Sequence, residues 1–330
     1  MRVLTRLTRI AGSPWIRGGL LAAVLAFCGY GLHEEWPQVT AGLARLQWYA
    51  IAASLAAAMA GATCMMLAWR AILADLGSPL PVRAAARVNF LAQLAKYIPG
   101  AVWAFAAQIE LGHEYQVPRR RSFASVATSL AVMVGTGLLL ALVTLPVAAP
   151  AVIQHYWWVL CAAPVIMAAL CPPVLGRVLD RLLTLIRRQP LERLPTWGGL
   201  TRAMAWNLAG WLLLGFGVWM LATGLGGLHA STLLIAVGGY SLAFSAGMLL
   251  VVLPGGIGAR ELILVAALST VLPSGAAVAV ALVARATTTA SDLILGAAGA
   301  AIGRRSSSRG TQPGYAGTSP PSKSPASSSS

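Results

Sequence analysis

Acidic residues are scarce: nine Asp and Glu stand against 24 Lys and Arg, and charges of both signs make up only 10% of the 330 residues. So few charges cannot cover the surface of a water-soluble protein of this size. Catalytic constellations are missing as well. There is no nucleophile elbow, no H-E-x-x-H and no pair of carboxylates on one helix face. The four histidines, His33, His113, His155 and His229, fall at loop or interface positions. No G-x-x-x-x-G-K-[ST] is present to bind ATP, and Gly135-x-Gly137 and Gly256-x-Gly258 lack the preceding strand of a dinucleotide site, so they read as packing or hinge glycines. The four cysteines, Cys28, Cys64, Cys161 and Cys171, lie in apolar segments without C-x-x-C spacing and read as small buried residues. No enzyme activity, cofactor, metal site or catalytic residue is expected.

What the chain has in excess is apolar sequence, with 58% hydrophobic residues and a mean hydropathy of +0.74. It reads as an all-α polytopic membrane protein of about eight transmembrane helices. The net charge of +15 sits between apolar runs and on the tails, where it reports orientation and contact with anionic lipid. A nucleic-acid partner would need a soluble basic surface, and no segment is long enough. Residues 1–17 form a basic cytoplasmic N-terminus. A transmembrane domain follows over 18–302, in halves 18–175 and 200–302, and 303–330 is a disordered Ser/Pro-rich tail. Leu25-Ala26-Phe27-Cys28 resembles the end of a lipoprotein signal, but those signals need a small residue where Phe27 stands. The first run is therefore an uncleaved span.

Spans are expected over 18–32, 43–69, 123–145, 152–171, 203–225 and 276–302, with both termini cytoplasmic by the positive-inside rule. The apolar stretch 84–111 conflicts with that rule, because Arg119-Arg120-Arg121 follows it and a full crossing would put the triplet outside. A re-entrant hairpin turning at Pro99-Gly100 resolves the conflict. On its first arm Asn89, Gln93 and Lys96 recur at helical spacing, and on its second stand Gln108 and Glu110.

A matching interruption lies in the second half, at Leu253-Pro254-Gly255-Gly256-Ile257-Gly258-Ala259-Arg260-Glu261. Proline removes an amide donor and glycine leaves the backbone loosely held, so the helix breaks there. A fresh helix N-terminus follows, with Arg260 in its first turn, and such an end attracts anions. Broken backbone inside a membrane survives where it lines a polar cavity or is buried in protein, and paired breaks point to a transporter's site. The segment 233–272 is either two spans with the break near the cytoplasm or a hairpin entering from outside. The hairpin would make the halves inverted repeats.

Charges inside the spans carry the site. Each costs about 2.5–3.5 kcal/mol at a span centre, so each is kept for a partner or a polar pathway. The candidate headgroup-binding residues are Lys96, Pro99, Gly100, Gly255, Gly256, Gly258, Arg260, Glu261, Arg285 and Asp292. Arg285 and Asp292 share one face of the last span, near Thr288 and Ser291. Two readings compete: a cavity for a phosphate-bearing headgroup, or structural ion pairs that neutralise one another. A third, an intramembrane enzyme, has Glu110, Glu261 and Asp292 as its candidate acids.

The segments Lys96-Tyr97-Ile98-Pro99-Gly100 and Leu253 to Glu261, in a basic multi-span chain, resemble the lysylphosphatidylglycerol synthetase transmembrane-region family of flippase-like proteins. The resemblance covers 18–302. It implies a bacterial inner-membrane protein that moves an anionic or aminoacylated phospholipid, or a polyprenyl-phosphate lipid, between leaflets. The alternative is a membrane scaffold that presents a polyprenyl-linked lipid to a separate lipid-modifying enzyme or glycosyltransferase without moving it. Fused members carry a soluble aminoacyl-transferase domain, which 306–330 cannot be. Members also often have an acidic residue and an arginine early in the helix after the first motif, where Ser125, Thr128 and Ser129 stand here.

Overall fold

The computed structural model describes residues 36–97, 103–148, 160–185, 193–226, 229–249 and 258–307. Among them are eleven α-helices, one short 3₁₀ turn and no strand. In chain order they are α1 (Trp36–Arg45), α2 (Trp48–Asp75), α3 (Val82–Leu94), α4 (Trp103–Glu114), α5 (Arg119–Ala148), α6 (Ala162–Ala169), α7 (Pro172–Leu185), α8 (Trp197–Gly226), α9 (Ala230–Leu249), α10 (Ala259–Leu268) and α11 (Ser274–Ser307), with the 3₁₀ turn at Ala95–Tyr97.

Five helices, α2, α5, α8, α9 and α11, are long and apolar enough to cross a membrane, and the bent pair α6–α7 makes a sixth if counted as one span. The chain is a multi-pass membrane protein. The expected eight are not reached among the described residues. The first predicted span, 18–32, and part of 152–171 lie outside them.

Within the bundle α8 packs along α2, α9 lies between α5 and α8, and α11 closes the assembly against α2, α3 and α10. Small residues allow these approaches, as they do wherever helices meet in lipid. A Cβ on Gly215 would stand 2.5 Å from the Cα of Val237, and one on Gly239 would stand 2.7 Å from the Cβ of Ala267. Gly135 and Gly137 serve packing in the same way, since their added Cβ atoms would meet Leu170 at 2.8 Å and Ser245 at 2.4 Å. Buried polar contacts join the helices: Ser54 Oγ and Thr287 Oγ1 lie 3.1 Å apart, and Trp69 Nε1 donates to Ser125 Oγ at 3.1 Å. Trp211, fully buried, donates to Thr136 Oγ1 at 3.3 Å and meets the edge of Phe244.

Several helix ends differ from the sequence expectation. Arg70, expected beyond the second span, lies inside α2, because its Nε folds back to donate to the Leu80 carbonyl at 2.7 Å. Arg119, Arg120 and Arg121 form the first turn of α5, and Arg121 Nη1 donates to the Gly77 carbonyl at 3.0 Å. At the same end the Asp75 carboxylate accepts from the amide and hydroxyl of Thr196, both at 2.7 Å. The end of α2 and the starts of α5 and α8 therefore meet at one basic end of the bundle. Downstream of α6, α7 is amphipathic: Leu175, Leu179 and Leu183 are buried while Arg177 and Arg181 are exposed. The last helix runs on to Ser307, beyond the expected boundary at 302. Of the cysteines, Cys64, Cys161 and Cys171 are free, and Cys161 is exposed rather than buried. Cys28 lies outside the described residues.

Candidate functional site

The arms α3 and α4 have 13 and 12 residues, about 20 Å each, which is short of the ~30 Å apolar core of a bilayer. They pack against each other, and Arg87 near the start of one donates to Glu114 at 2.9 Å and to Tyr115 at 3.0 Å at the end of the other. That is the geometry of an antiparallel hairpin. Its expected turn residues, Pro99 and Gly100, lie outside the described residues.

The second broken element is built differently. Its first arm, α9, has 20 residues and reaches the length of a full span, whereas α10 has ten. Of the expected motif, Gly255 and Gly256 lie outside the described residues and Gly258 caps α10. Its φ of +91° is one that side-chain-bearing residues rarely adopt. The Gly258 amide donates to Glu261 Oε2 at 2.8 Å, so the helix start is met by its own first-turn acid.

Between the two elements lies a cavity of about 300 Å³. Lys96, Arg260, Arg285 and Asp292 all line it, although they come from three different parts of the chain, the last two from α11. Lys96 Nζ and Asp292 Oδ2 are 2.7 Å apart, and the Tyr97 hydroxyl donates to the same oxygen at 2.7 Å. Glu261 stands behind the cavity wall, with its Oε1 3.7 Å from Arg285 Nε, a loose ion pair beyond hydrogen-bond reach. Glu110 does not reach the cavity. It is exposed and paired with Arg119 at 3.0 Å, so of the three acids considered for an intramembrane enzyme Asp292 alone faces the space.

Arg260 is treated unlike the other cations. Among the described residues it has no carboxylate partner. Its guanidinium lies 4.2 Å from the ring centroid of Phe244 and 4.9 Å from that of Tyr240, and it donates a short hydrogen bond to the Tyr240 hydroxyl. Two aromatic faces hold the planar cation in place without cancelling its charge. Three cations against two carboxylates leave one positive charge in surplus.

Sequence reasoning missed Tyr240 and Phe244. Their four-residue spacing puts them on one face of α9, directly before the break, and that spacing was the available signal. Thr288 and Ser291, named beside the charges of the last span, do line the cavity, and so do Asn89, Gln93 and Gln108 of the hairpin. Of the serine and threonine positions where the family often has charge, Ser129 lines it, while Ser125 is taken by Trp69.

No curated protein matches the chain. The family model described as the lysylphosphatidylglycerol synthase TM region matches residues 15–296. That range takes in both broken elements and every charged residue of the cavity, and the chain belongs to the lysylphosphatidylglycerol synthase transmembrane-region family.

Proposed function

We propose that this protein is a lipid translocator of the bacterial inner membrane, holding an anionic or aminoacylated phospholipid headgroup in the cavity while the acyl chains stay in the bilayer. It does no covalent chemistry of its own. The observation that carries the reading is Arg260: a cation inside a membrane bundle that has no carboxylate partner among the described residues and lies against two aromatic rings. A membrane protein retains such a charge for a ligand or a polar pathway. Planar guanidinium matches the oxygens of a phosphate in a forked pair of hydrogen bonds, and in a partly dry site charge-assisted bonds are the strong ones. Lys96 and Arg285, each already facing an acid, add to the positive field without being the primary contact. Membership of a lipid-related membrane family is consistent with this role.

The basic end where α2, α5 and α8 meet is cytoplasmic in this reading, as are both termini, because arginine-rich connections stay on that side. Movement is downhill or coupled to an ion gradient. The test is leaflet translocation of fluorescent phosphatidylglycerol, lysyl-phosphatidylglycerol and polyprenyl phosphate in liposomes, with wild type beside Arg260→Ala. Faster movement of one lipid, lost in the variant, is the expected result. If no lipid moves while native mass spectrometry retains a bound lipid, the protein is instead a scaffold that presents lipid to a separate enzyme.

A further inference from the structure

Each acid of the site already faces one of its own cations. Asp292 Oδ2 accepts from both Lys96 and Tyr97, and Glu261 is divided between the Gly258 amide and Arg285. A headgroup amine entering the cavity meets a site already positive by one charge, and its one lining carboxylate, Asp292, is already paired with Lys96. The aromatic faces beside the second break, Tyr240 and Phe244, already carry Arg260.

A different set of groups is unspent. Asn89, Gln93 and Gln108 line the cavity, and among the described residues their side-chain amides have no hydrogen-bond partner. Asn89 and Gln108 are only 8% and 9% exposed. Their amides open onto the cavity, so they are best met by something that both donates and accepts. Hydroxyl groups do both, and so do carboxamides, whereas an ammonium can only donate. Asn89, Gln93 and Lys96 also follow one another along a single helix face, so neutral hydroxyl-binding groups run directly into the charged part of the cavity.

We infer that the cavity selects a headgroup in which a phosphate anion carries uncharged hydroxyls, a glycerol or a cyclic polyol, and rejects headgroups that bear an amine. The inference deepens the translocator reading, and rests on it only in taking the cavity as a lipid site. A phosphatidylglycerol headgroup brings one negative charge and neutralises the surplus. Its lysylated form brings one phosphate charge and two ammonium groups, which doubles the surplus.

The experiment is a native mass spectrometry competition on the purified full-length protein. It uses equimolar phosphatidylglycerol, phosphatidylinositol, phosphatidylmethanol and lysyl-phosphatidylglycerol, followed by translocation of acyl-labelled versions in liposomes. Phosphatidylmethanol has the same charge as phosphatidylglycerol but no hydroxyl. Two hydroxyl–amide hydrogen bonds give the polyol lipids an advantage of about tenfold over phosphatidylmethanol, with lysyl-phosphatidylglycerol retained least. The glycerol and inositol arms separate the two polyol classes. Combining Gln93→Met with Gln108→Met, which keeps side-chain volume, erases the preference while phosphatidylmethanol stays bound, and that retention also reports a folded variant. Equal or better retention of lysyl-phosphatidylglycerol, or of phosphatidylmethanol, overturns the inference, and retention of none of the four overturns it together with the lipid site. Retention in the expected order without any translocation sinks the translocator reading alone.

Discussion

The two broken elements make an instructive pair, because each delivers a cation to the same cavity and each handles its charge differently. The hairpin of α3 and α4 brings Lys96, an ammonium that lies 2.7 Å from a carboxylate on α11 and whose neighbour Tyr97 donates to the same oxygen. The α9–α10 element brings Arg260, which meets aromatic rings instead of an acid. One charge ties the hairpin to the last helix. The other is kept available. A proline-glycine interruption therefore does not by itself define a binding group; what the neighbouring helix offers the cation decides between structure and ligand.

Substitutions can break or sharpen this contrast. The largest effect is expected from Arg260→Ala, which removes the charge-assisted contact to phosphate and should slow translocation about a hundredfold. Thermal stability should change little, because no acid is left unpaired. Arg260→Lys should recover only part of the rate, since an ammonium lacks the planar fork and stacks less well. A thermal melt beside the liposome assay separates the two quantities.

Next comes the Lys96–Asp292 pair, where the order of effects reverses. Lys96→Met strands Asp292, 13% exposed, and should cost about 2 kcal/mol of stability, less than a fully buried pair because the lysine is 35% exposed. Adding Asp292→Leu should restore most of that stability. A double-mutant cycle by thermal melting checks this, and additive losses would show that the pair is not coupled.

Tyr240→Phe tests the clamp more finely. It deletes the hydroxyl that accepts from Arg260 but keeps the ring, and should slow translocation by about threefold. Smallest of all is Glu110→Gln. Its exposed pair with Arg119 is worth about 0–1 kcal/mol, and neither translocation nor melting temperature should move measurably.

The helical architecture, both interruptions and the charged residues of the cavity were legible in the sequence, because charge and proline stand out against an apolar background. Their pairing was not. Lys96 and Asp292 lie in different halves of the chain, and only tertiary packing of α11 against the hairpin brings them together. Tyr240 and Phe244 were hidden for the opposite reason: in an apolar run aromatic residues look like lipid-facing or core side chains, and nothing local announces that a guanidinium will lie on them. Helix ends were misjudged wherever hydropathy was taken as the boundary. Arg70 marks the end of the apolar run, yet its side chain caps the following turn, so the backbone of α2 continues to Asp75. The expectation of a free helix N-terminus at Gly258 did not foresee that Glu261 would take its amide.

The most direct test of the contrast between the two cations is retention of anionic phospholipid by the wild type, by Arg260→Ala and by the combined Lys96→Met and Asp292→Leu variant, read by native mass spectrometry on folded protein. Loss of bound lipid in Arg260→Ala, with most of it kept in the combined variant, is the result expected if Arg260 is the cation held for the headgroup. Retention by Arg260→Ala alongside loss in the combined variant would contradict it, and would move the headgroup to the hairpin.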